Sequence, residues 1–144
     1  MNEILSKAQN ICSKKEMCIF DISKKLQTWE ATEIEKEDII QSLIDDKFID
    51  EQRYANAFTN DKFKFNKWGK IKISYHLKQK QIPNKYIQES LSQINDNEYI
   101  DALKSILKTK LISLTNKENK KEKLVRFAQS RGYALNDILK AIVI

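Results

Sequence analysis

Lysines and aromatic residues alternate along residues 62–85, a stretch with eight lysines and no acidic side chain. Lysine ammonium groups bind phosphate or carboxylate groups as point charges without reading base identity. Between them lie Phe63, Phe65 and Trp68, of which we expect Phe65 and Trp68 to pack under the adjoining loop. The lysines, here called the basic segment, are Lys62, Lys64, Lys67, Lys70, Lys72, Lys78, Lys80 and Lys85. A helix face that is merely exposed to solvent has the same composition. Because side chains point in different directions around a helix, these lysines cannot all lie on one face.

A second basic group lies near the end of the chain. Lys120, Lys123 and Arg126 are about one helical turn apart and can form one ridge, which we call the third-unit ridge, with Arg131 beyond it. A helix that is merely soluble would show the same pattern. Our hypothesis is that the two basic groups line one concave face. Binding of DNA through such a face would depend steeply on salt and tolerate different sequences.

No arrangement of side chains predicts catalysis or a metal centre. His76 is the only histidine, and we expect it to be exposed on a polar helix face rather than to join a catalytic triad. The spacing of Cys12 and Cys18 does not match common zinc patterns. The acidic residues in the first part of the chain lie where helices are expected to begin, where negative charge is stabilising, or act as helix caps, as we expect of Asp50. Together they could also form an acidic face that meets a basic patch on a protein partner. We therefore predict a non-enzyme without a metal centre.

Composition excludes several classes of protein. The chain has 144 residues with only two glycines and one proline, which argues against turn-rich β folds and glycine-rich phosphate loops. Net charge is +6, divided as −3 over residues 1–48, +5 over 49–95 and +4 over 96–144. Such a balance favours a polyanionic partner, although a lysine-rich proteome would explain it too. With no apolar run near 18 residues and no signal-peptide pattern, we expect a cytoplasmic protein, acting as a monomer.

Apolar residues recur at helical spacing nearly throughout, and this periodicity predicts nine helices. Start signals include capping boxes at Thr32 and Thr115, a cap at Asp50 and a first-turn proline at Pro83, while Gly132 fits a left-handed helix end. The predicted ranges are 2–13, 17–28, 33–47, 50–65, 69–80, 83–94, 96–114, 117–131 and 135–143.

A repeat divides these helices into three groups. Ile22, Ile73 and Leu124 open similar segments and are separated by steps of 51 residues. We predict three tandem three-helix, helix-turn-helix-like units over 1–48, 49–95 and 96–144 that stack into an elongated, curved all-α array. The alternative is one compact globule of nine helices.

The middle unit carries a distinctive set of motifs. It reads Phe48-Ile49-Asp50-Glu51-Gln52-Arg53-Tyr54-Ala55-Asn56-Ala57-Phe58, then Phe63-Lys64-Phe65, Trp68-Gly69-Lys70-Ile71-Lys72-Ile73 and His76-Leu77-Lys78-Gln79-Lys80-Gln81-Ile82. This pattern resembles the RecX family, bacterial regulators of the RecA recombinase. The resemblance is strong over 46–82 and extends in register over the whole chain, where Ser130-Arg131-Gly132-Tyr133 is similar to a family motif.

Three positions depart from the family pattern: Glu51 replaces an aspartate, His76 a glutamate and Gln81 a glycine. The last leaves a helix end without the glycine that often supplies its left-handed turn. The resemblance gives structural roles to the motif residues Asp50, Arg53, Tyr54, Ala55, Phe58, Trp68, Gly69, Ile73 and Leu77.

The resemblance also implies a function. Family members are modular proteins of three-helix repeats that lie in the groove of the RecA–DNA filament and limit its growth or activity. They are not enzymes and carry no required cofactor. We expect the RecA filament as partner, with single- or double-stranded DNA as a further one. The contacts would come from the basic segment other than Lys85, from the third-unit ridge and from Arg131. The alternative is a general helix-turn-helix-like nucleic-acid binder, which the scarcity of arginine, limited to Arg53, Arg126 and Arg131, disfavours.

Overall fold

The computed structural model describes residues 2–115 and 118–142 of the chain. Within those ranges the chain forms nine α-helices and no strand, which confirms the predicted all-α class. The helices are α1 (Asn2–Lys14), α2 (Ile19–Thr28), α3 (Glu33–Asp45), α4 (Glu51–Asn66), α5 (Lys70–Gln79), α6 (Asn84–Ser92), α7 (Asp96–Ser113), α8 (Lys120–Ser130) and α9 (Leu135–Ala141). Each predicted boundary lies within three residues of the observed one.

Short-range capping explains where several helices begin. The hydroxyl of Thr32 accepts a hydrogen bond from the amide of Glu35, whose carboxylate accepts one from the amide of Thr32 in return, so this capping box is confirmed. Asp50 caps α4 as predicted by accepting a hydrogen bond from the amide of Arg53 at 3.0 Å. Asn95 caps α7 in the same way, a role that the sequence analysis did not identify.

The helix α8 starts three residues after its predicted start at residue 117, a residue that lies outside the described ranges. The helix begins at Lys120, because Asn119 precedes it in the left-handed conformation, with φ of 58°, and interrupts the helical backbone. Residues 116 and 117, which belong to the capping box proposed at Thr115, lie outside the described residues.

The same helix ending recurs at steps of 51 residues. The residues with positive φ after α2, α5 and α8 are Glu30, Gln81 and Gly132. In each case the next amide donates to a carbonyl five residues earlier: Ala31 to Leu26, Ile82 to Leu77 and Tyr133 to Ala128. This pairing satisfies the last carbonyls of a helix and needs a left-handed residue, so Gln81 adopts the conformation that glycine usually supplies.

Helix contacts concentrate within three consecutive groups, α1–α3, α4–α6 and α7–α9. The first group has its own core around Ile22, Leu26, Ile39 and Leu43. A second core runs through the other two groups and also takes in Cys18, which directly precedes α2. Full burial of each aliphatic side chain contributes about 1.5–3 kcal/mol, so these two cores are the main source of stability. The division of the chain into units at residues 48 and 95 stays a prediction.

Candidate functional site

The basic segment runs from the end of α4 through the three-residue linker 67–69 and the whole of α5 to the first turn of α6, where Lys85 lies. Helical rotation and the turn between the two helices direct its side chains to several sides of the middle group. Lys64, Lys78 and Lys85 are exposed, whereas the other members are half-buried against neighbouring side chains. The segment is therefore not one uniform surface, and its members must be considered by what they contact.

Two of its lysines hold neighbouring helices. The ammonium group of Lys67 donates a hydrogen bond to the hydroxyl of Ser105 on α7 at 2.8 Å. Lys80 forms an ion pair with Asp21 on α2, with 2.6 Å between the nitrogen and the carboxylate oxygen. Both ammonium groups already bind a side chain of another helix, so they are less suited to bind an external anion than lysines without such a side-chain partner.

Lys62, Lys72 and His76 gather around the indole ring of Trp68, and these four residues together with Phe58 are called the Trp68 cluster. The ammonium nitrogens of Lys62 and Lys72 lie 5.0 and 4.6 Å from the indole centroid, within the range of cation–π attraction. The imidazole of His76 lies 4.7 Å from the same ring, and Phe58 meets it edge-on. Positive charge is thus concentrated over a half-buried aromatic platform.

His76 does not occupy the exposed polar position that we expected. It is half-buried between Trp68 and Tyr75, since the linker folds the indole back onto the second turn of α5. Burial, followed by the charges of Lys72 and Lys62, lowers the pKa of His76 below its ordinary value. The imidazole is therefore neutral at pH 7, and the positive charge of the cluster comes from the two lysines.

A second feature is an apolar groove between α5 and α6. It is an open depression of about 670 Å³, which we call the α5–α6 groove. It is lined by Ile71, Tyr75 and Leu91 and by five polar residues that include Lys70 and Lys78. Ile71 and Tyr75 are 58% and 59% exposed, although both are apolar or aromatic. Exposed apolar side chains next to positive charges are typical of surfaces that bind another macromolecule.

The expectation that Phe65 packs under the adjoining loop is wrong, because Phe65 is 82% exposed. Tyr75 is exposed as well and lines the α5–α6 groove. Phe63 is buried, and residues two apart on a helix point in nearly opposite directions, so α4 cannot bury Phe65 as well. Trp68 is half-buried beside α5, in partial agreement with the expectation that it packs at the loop.

The only two glycines of the chain bring the middle and last groups into backbone contact. The amide of Gly69 donates to the carbonyl of Arg131 at 2.7 Å, and the amide of Ile71 donates to the carbonyl of Gly132 at 3.0 Å. A Cβ atom on Gly69 would lie 2.3 Å from the carbonyl oxygen of Gly132, so only glycine fits. The hydroxyl of Tyr133 donates to the carbonyl of Lys67 and closes this junction.

The junction places the Trp68 cluster beside the end of α8. The ammonium group of Lys72 is 3.5 Å from the carbonyl oxygen of Ser130, the last residue of that helix. In the third-unit ridge, Arg126 is exposed and Lys120 and Lys123 are half-buried, while the guanidinium of Arg131 lies 5.0 Å from the ring of Phe127. The single concave face that would combine both basic groups stays a prediction.

The remaining motif residues have structural environments. Tyr54, Ala55, Ile73 and Leu77 are buried in the second core, and Phe58 packs against it. The side chain of Arg53 pairs with Glu16 from the first group, although Asp50 lies only three residues before it in the sequence.

Its guanidinium also donates to the carbonyls of Lys47 and Phe48, so Arg53 connects the first group to the start of α4. Glu51 adds a contact that the sequence analysis missed, since its carboxylate accepts a hydrogen bond from the amide of Ile19 at 3.2 Å. Burial raises the pKa of Glu51 despite that hydrogen bond. The longer side chain at this departure from the family pattern therefore helps to hold α2 against α4.

Other kinds of site receive no support from the described residues. Over 2–115 and 118–142, no group of three or more histidine, cysteine, aspartate or glutamate side chains is arranged to hold a metal ion. Both cysteines are free and buried. None of the described helices is long and apolar enough to cross a membrane.

Comparison with known proteins identifies relatives of the chain. Residues 50–91 match the family model for the second three-helix domain of RecX. The regulatory protein RecX of Clostridium acetobutylicum is 33% identical over 124 residues, which cover 82% of this chain and 57% of the relative. That of Clostridium tetani is 36% identical over 106 residues, covering 71% and 48%. The chain thus spans about half the length of the curated relatives it matches.

Solved structures support the same fold. The crystal structure of RecX from Lactobacillus salivarius superposes with a TM-score of 0.81 at 19% identity, covering 98% of this chain and 96% of that one. A second crystal structure, of regulatory protein RecX, gives a TM-score of 0.87 at 20% identity, covering 96% and 71%. The sequence relatives, the domain match and the shared helical fold agree with the resemblance found in the middle unit, and the chain belongs to the RecX family.

Proposed function

We propose that this chain is a negative regulator of the RecA recombinase, which binds the groove of the RecA–DNA filament and limits recombinase activity in DNA repair and recombination. The observation that carries the proposal is that residues 50–91, which match a RecX domain, contain both the Trp68 cluster and the α5–α6 groove. The relatives are named regulatory proteins, which favours a binding role over a catalytic one.

The Trp68 cluster supplies the charge for such a role. Among the described residues, neither Lys62 nor Lys72 forms an ion pair with a carboxylate. Both ammonium groups are positioned by the indole, so less side-chain entropy is lost when an anion binds. Lysine contacts to phosphate carry no sequence preference, as a regulator that acts along any filament requires.

The α5–α6 groove supplies an apolar surface for a protein partner. Ile71 and Tyr75 are one helical turn apart and both exposed, and Leu91 of α6 forms the opposite wall. An apolar centre with a charged margin is the usual organisation of a protein interface. We therefore assign phosphate contacts to the Trp68 cluster and recombinase contacts to the groove, and we propose that the chain acts as a monomer in the cytoplasm.

The proposal is tested by single-stranded DNA-dependent ATP hydrolysis by a RecA recombinase, measured with increasing amounts of the chain. We expect the rate to fall as the chain is added. The double variant Lys62→Glu/Lys72→Glu should inhibit at least about tenfold less strongly, since loss of two charge-assisted contacts of about 1.5 kcal/mol each would weaken binding more than that.

Lys25→Glu is a charge-reversal control, because Lys25 is exposed on α2 and does not belong to the Trp68 cluster. It changes charge in the same sense and should retain inhibition. Unchanged hydrolysis at an excess of the chain over recombinase would refute the proposal. Equal binding of naked duplex DNA and of filament would instead support the alternative of a general nucleic-acid binder.

A further inference from the structure

The Trp68 cluster combines two permanent positive charges with the only imidazole of the chain. Lys62 comes from the last turns of α4 and Lys72 from the first turn of α5, so the cluster forms where the linker 67–69 turns the chain back. Both ammonium groups and the imidazole lie within 5.0 Å of the same indole centroid, and both lysines act electrostatically on His76, so the three groups are neighbours.

The charges that face His76 can be named from each neighbouring element. Lys62 faces it from α4 and Lys72 from its own helix, while the linker and α5 contribute the uncharged rings of Trp68 and Tyr75. No carboxylate acts on it within the described parts of the chain. Protonation is therefore opposed by burial and by two like charges, with no opposite charge nearby to favour it.

An oxyanion bound between the lysines would reverse this balance. It would cancel the repulsion from Lys62 and Lys72 and offer the protonated imidazole a hydrogen-bond acceptor, so it would raise the pKa of His76. Linkage then requires the reciprocal effect, in which protonation of His76 strengthens binding of the anion. The affinity for the anion therefore rises as the pH falls from above the pKa of His76 in the bound state to below the pKa of His76 in the free state.

We propose that the Trp68 cluster is a phosphate-binding site in which His76 takes up a proton as the oxyanion binds. The inference rests on the proposed function in identifying the oxyanion as a phosphodiester group of the DNA in the filament. Lys62 and Lys72 supply the standing charge, Trp68 positions them, and His76 adds a charge and a donor only when the anion is present. Recognition by this site is independent of base identity.

The inference is tested by proton NMR titration of His76, whose imidazole signals are unambiguous in the untagged chain because it is the only histidine. Three titrations are compared: the chain without ligand, the chain with inorganic phosphate, and the chain with a short single-stranded oligothymidine. We expect the midpoint to move to higher pH with the oligonucleotide. The affinity for the oligonucleotide should rise at least about threefold between about pH 7.5 and about pH 5.5, the range in which histidine titrates.

The control variant His76→Gln keeps a polar side chain that does not titrate. The affinity of this variant for the oligonucleotide should be constant over the same pH range. A midpoint shift with both ligands means that any phosphate oxyanion is bound, whereas a shift with the oligonucleotide alone means that the phosphodiester chain is required. An unchanged midpoint with the oligonucleotide bound, or no binding of either ligand, would overturn the inference. These measurements contain no recombinase, so they test the inference separately from the proposed function. If anion binding and protonation of His76 are coupled but the chain does not inhibit the recombinase, only the proposed function is refuted.

Discussion

Replacement of Gly69 by alanine should separate the middle and last groups of helices. The backbone of Gly69 has φ of −78° and ψ of 167°, close to the values of Cys18 at the equivalent start of α2, so the conformation itself tolerates a side chain. What excludes a side chain is the carbonyl oxygen of Gly132, 2.3 Å from the position of the added Cβ atom. The effect of Gly69→Ala therefore reports the contact between the two groups.

The magnitude follows from the hydrogen bonds at this junction. Relief of the clash needs a separation of about 1 Å, since ordinary contact begins at 3.4 Å. That movement would break the bond from the amide of Gly69 to Arg131 and weaken the bond from the amide of Ile71 to Gly132. With about 1 kcal/mol for each bond and a further 1–2 kcal/mol for overpacking, we expect a loss of about 2–4 kcal/mol in the free energy of unfolding.

The assay is urea denaturation followed by circular dichroism, with the free energy of unfolding extrapolated to water. Gln79→Ala serves as control, because Gln79 is exposed at the end of the same helix and should change stability by less than about 0.5 kcal/mol. A loss below about 1 kcal/mol for Gly69→Ala would show that the two groups separate without penalty, and the reasoning about this junction would be refuted.

Three further predictions concern the core and the helix ends. Gln81→Gly should stabilise the chain by about 0.5–1 kcal/mol in urea denaturation, because it removes about 1–2 kcal/mol of left-handed strain and costs somewhat less in unfolded-chain entropy. Thr59→Val should cost about 1–2 kcal/mol, since the Thr59 and Ser90 hydroxyls are buried 2.9 Å apart; a neutral result would contradict a buried hydrogen bond. Cys12 and Cys18 should react with Ellman's reagent at pH 8 only after unfolding, because both are buried and burial raises the pKa of Cys18 to about 11; rapid labelling of the folded chain would disprove this.

Much of the fold is predictable from local sequence signals. The capping box of Thr32 and the cap at Asp50 depend on residues three positions apart, and such interactions are the same in any protein that contains them. The left-handed residue at Gly132 follows from glycine's lack of a Cβ atom. Gln81 adopts the same conformation without glycine, because the repeated helix ending imposes it.

Contacts between distant residues were not predictable. The packing of Gly69 on Gly132 joins residues that are 63 positions apart, and two isolated glycines give no sign that they touch. The basic segment looked continuous, yet Lys67 and Lys80 turn to partners on α7 and α2 that the sequence does not mark. The exposure of Phe65 could have been predicted from the sequence. Phe63 lies two positions earlier on the same helix and is buried, and residues two positions apart face nearly opposite sides of a helix.

The central claim, that the middle unit binds a recombinase filament, is tested most directly by a retention measurement. Single-stranded DNA is immobilised, coated with a RecA recombinase and a non-hydrolysable ATP analogue, and exposed to the chain in biolayer interferometry. We predict that the coated DNA retains the chain more strongly than naked DNA does, and that Lys62→Glu/Lys72→Glu weakens this retention while Lys25→Glu does not. Failure of the filament to retain the chain, or equal retention by naked DNA, would contradict the account.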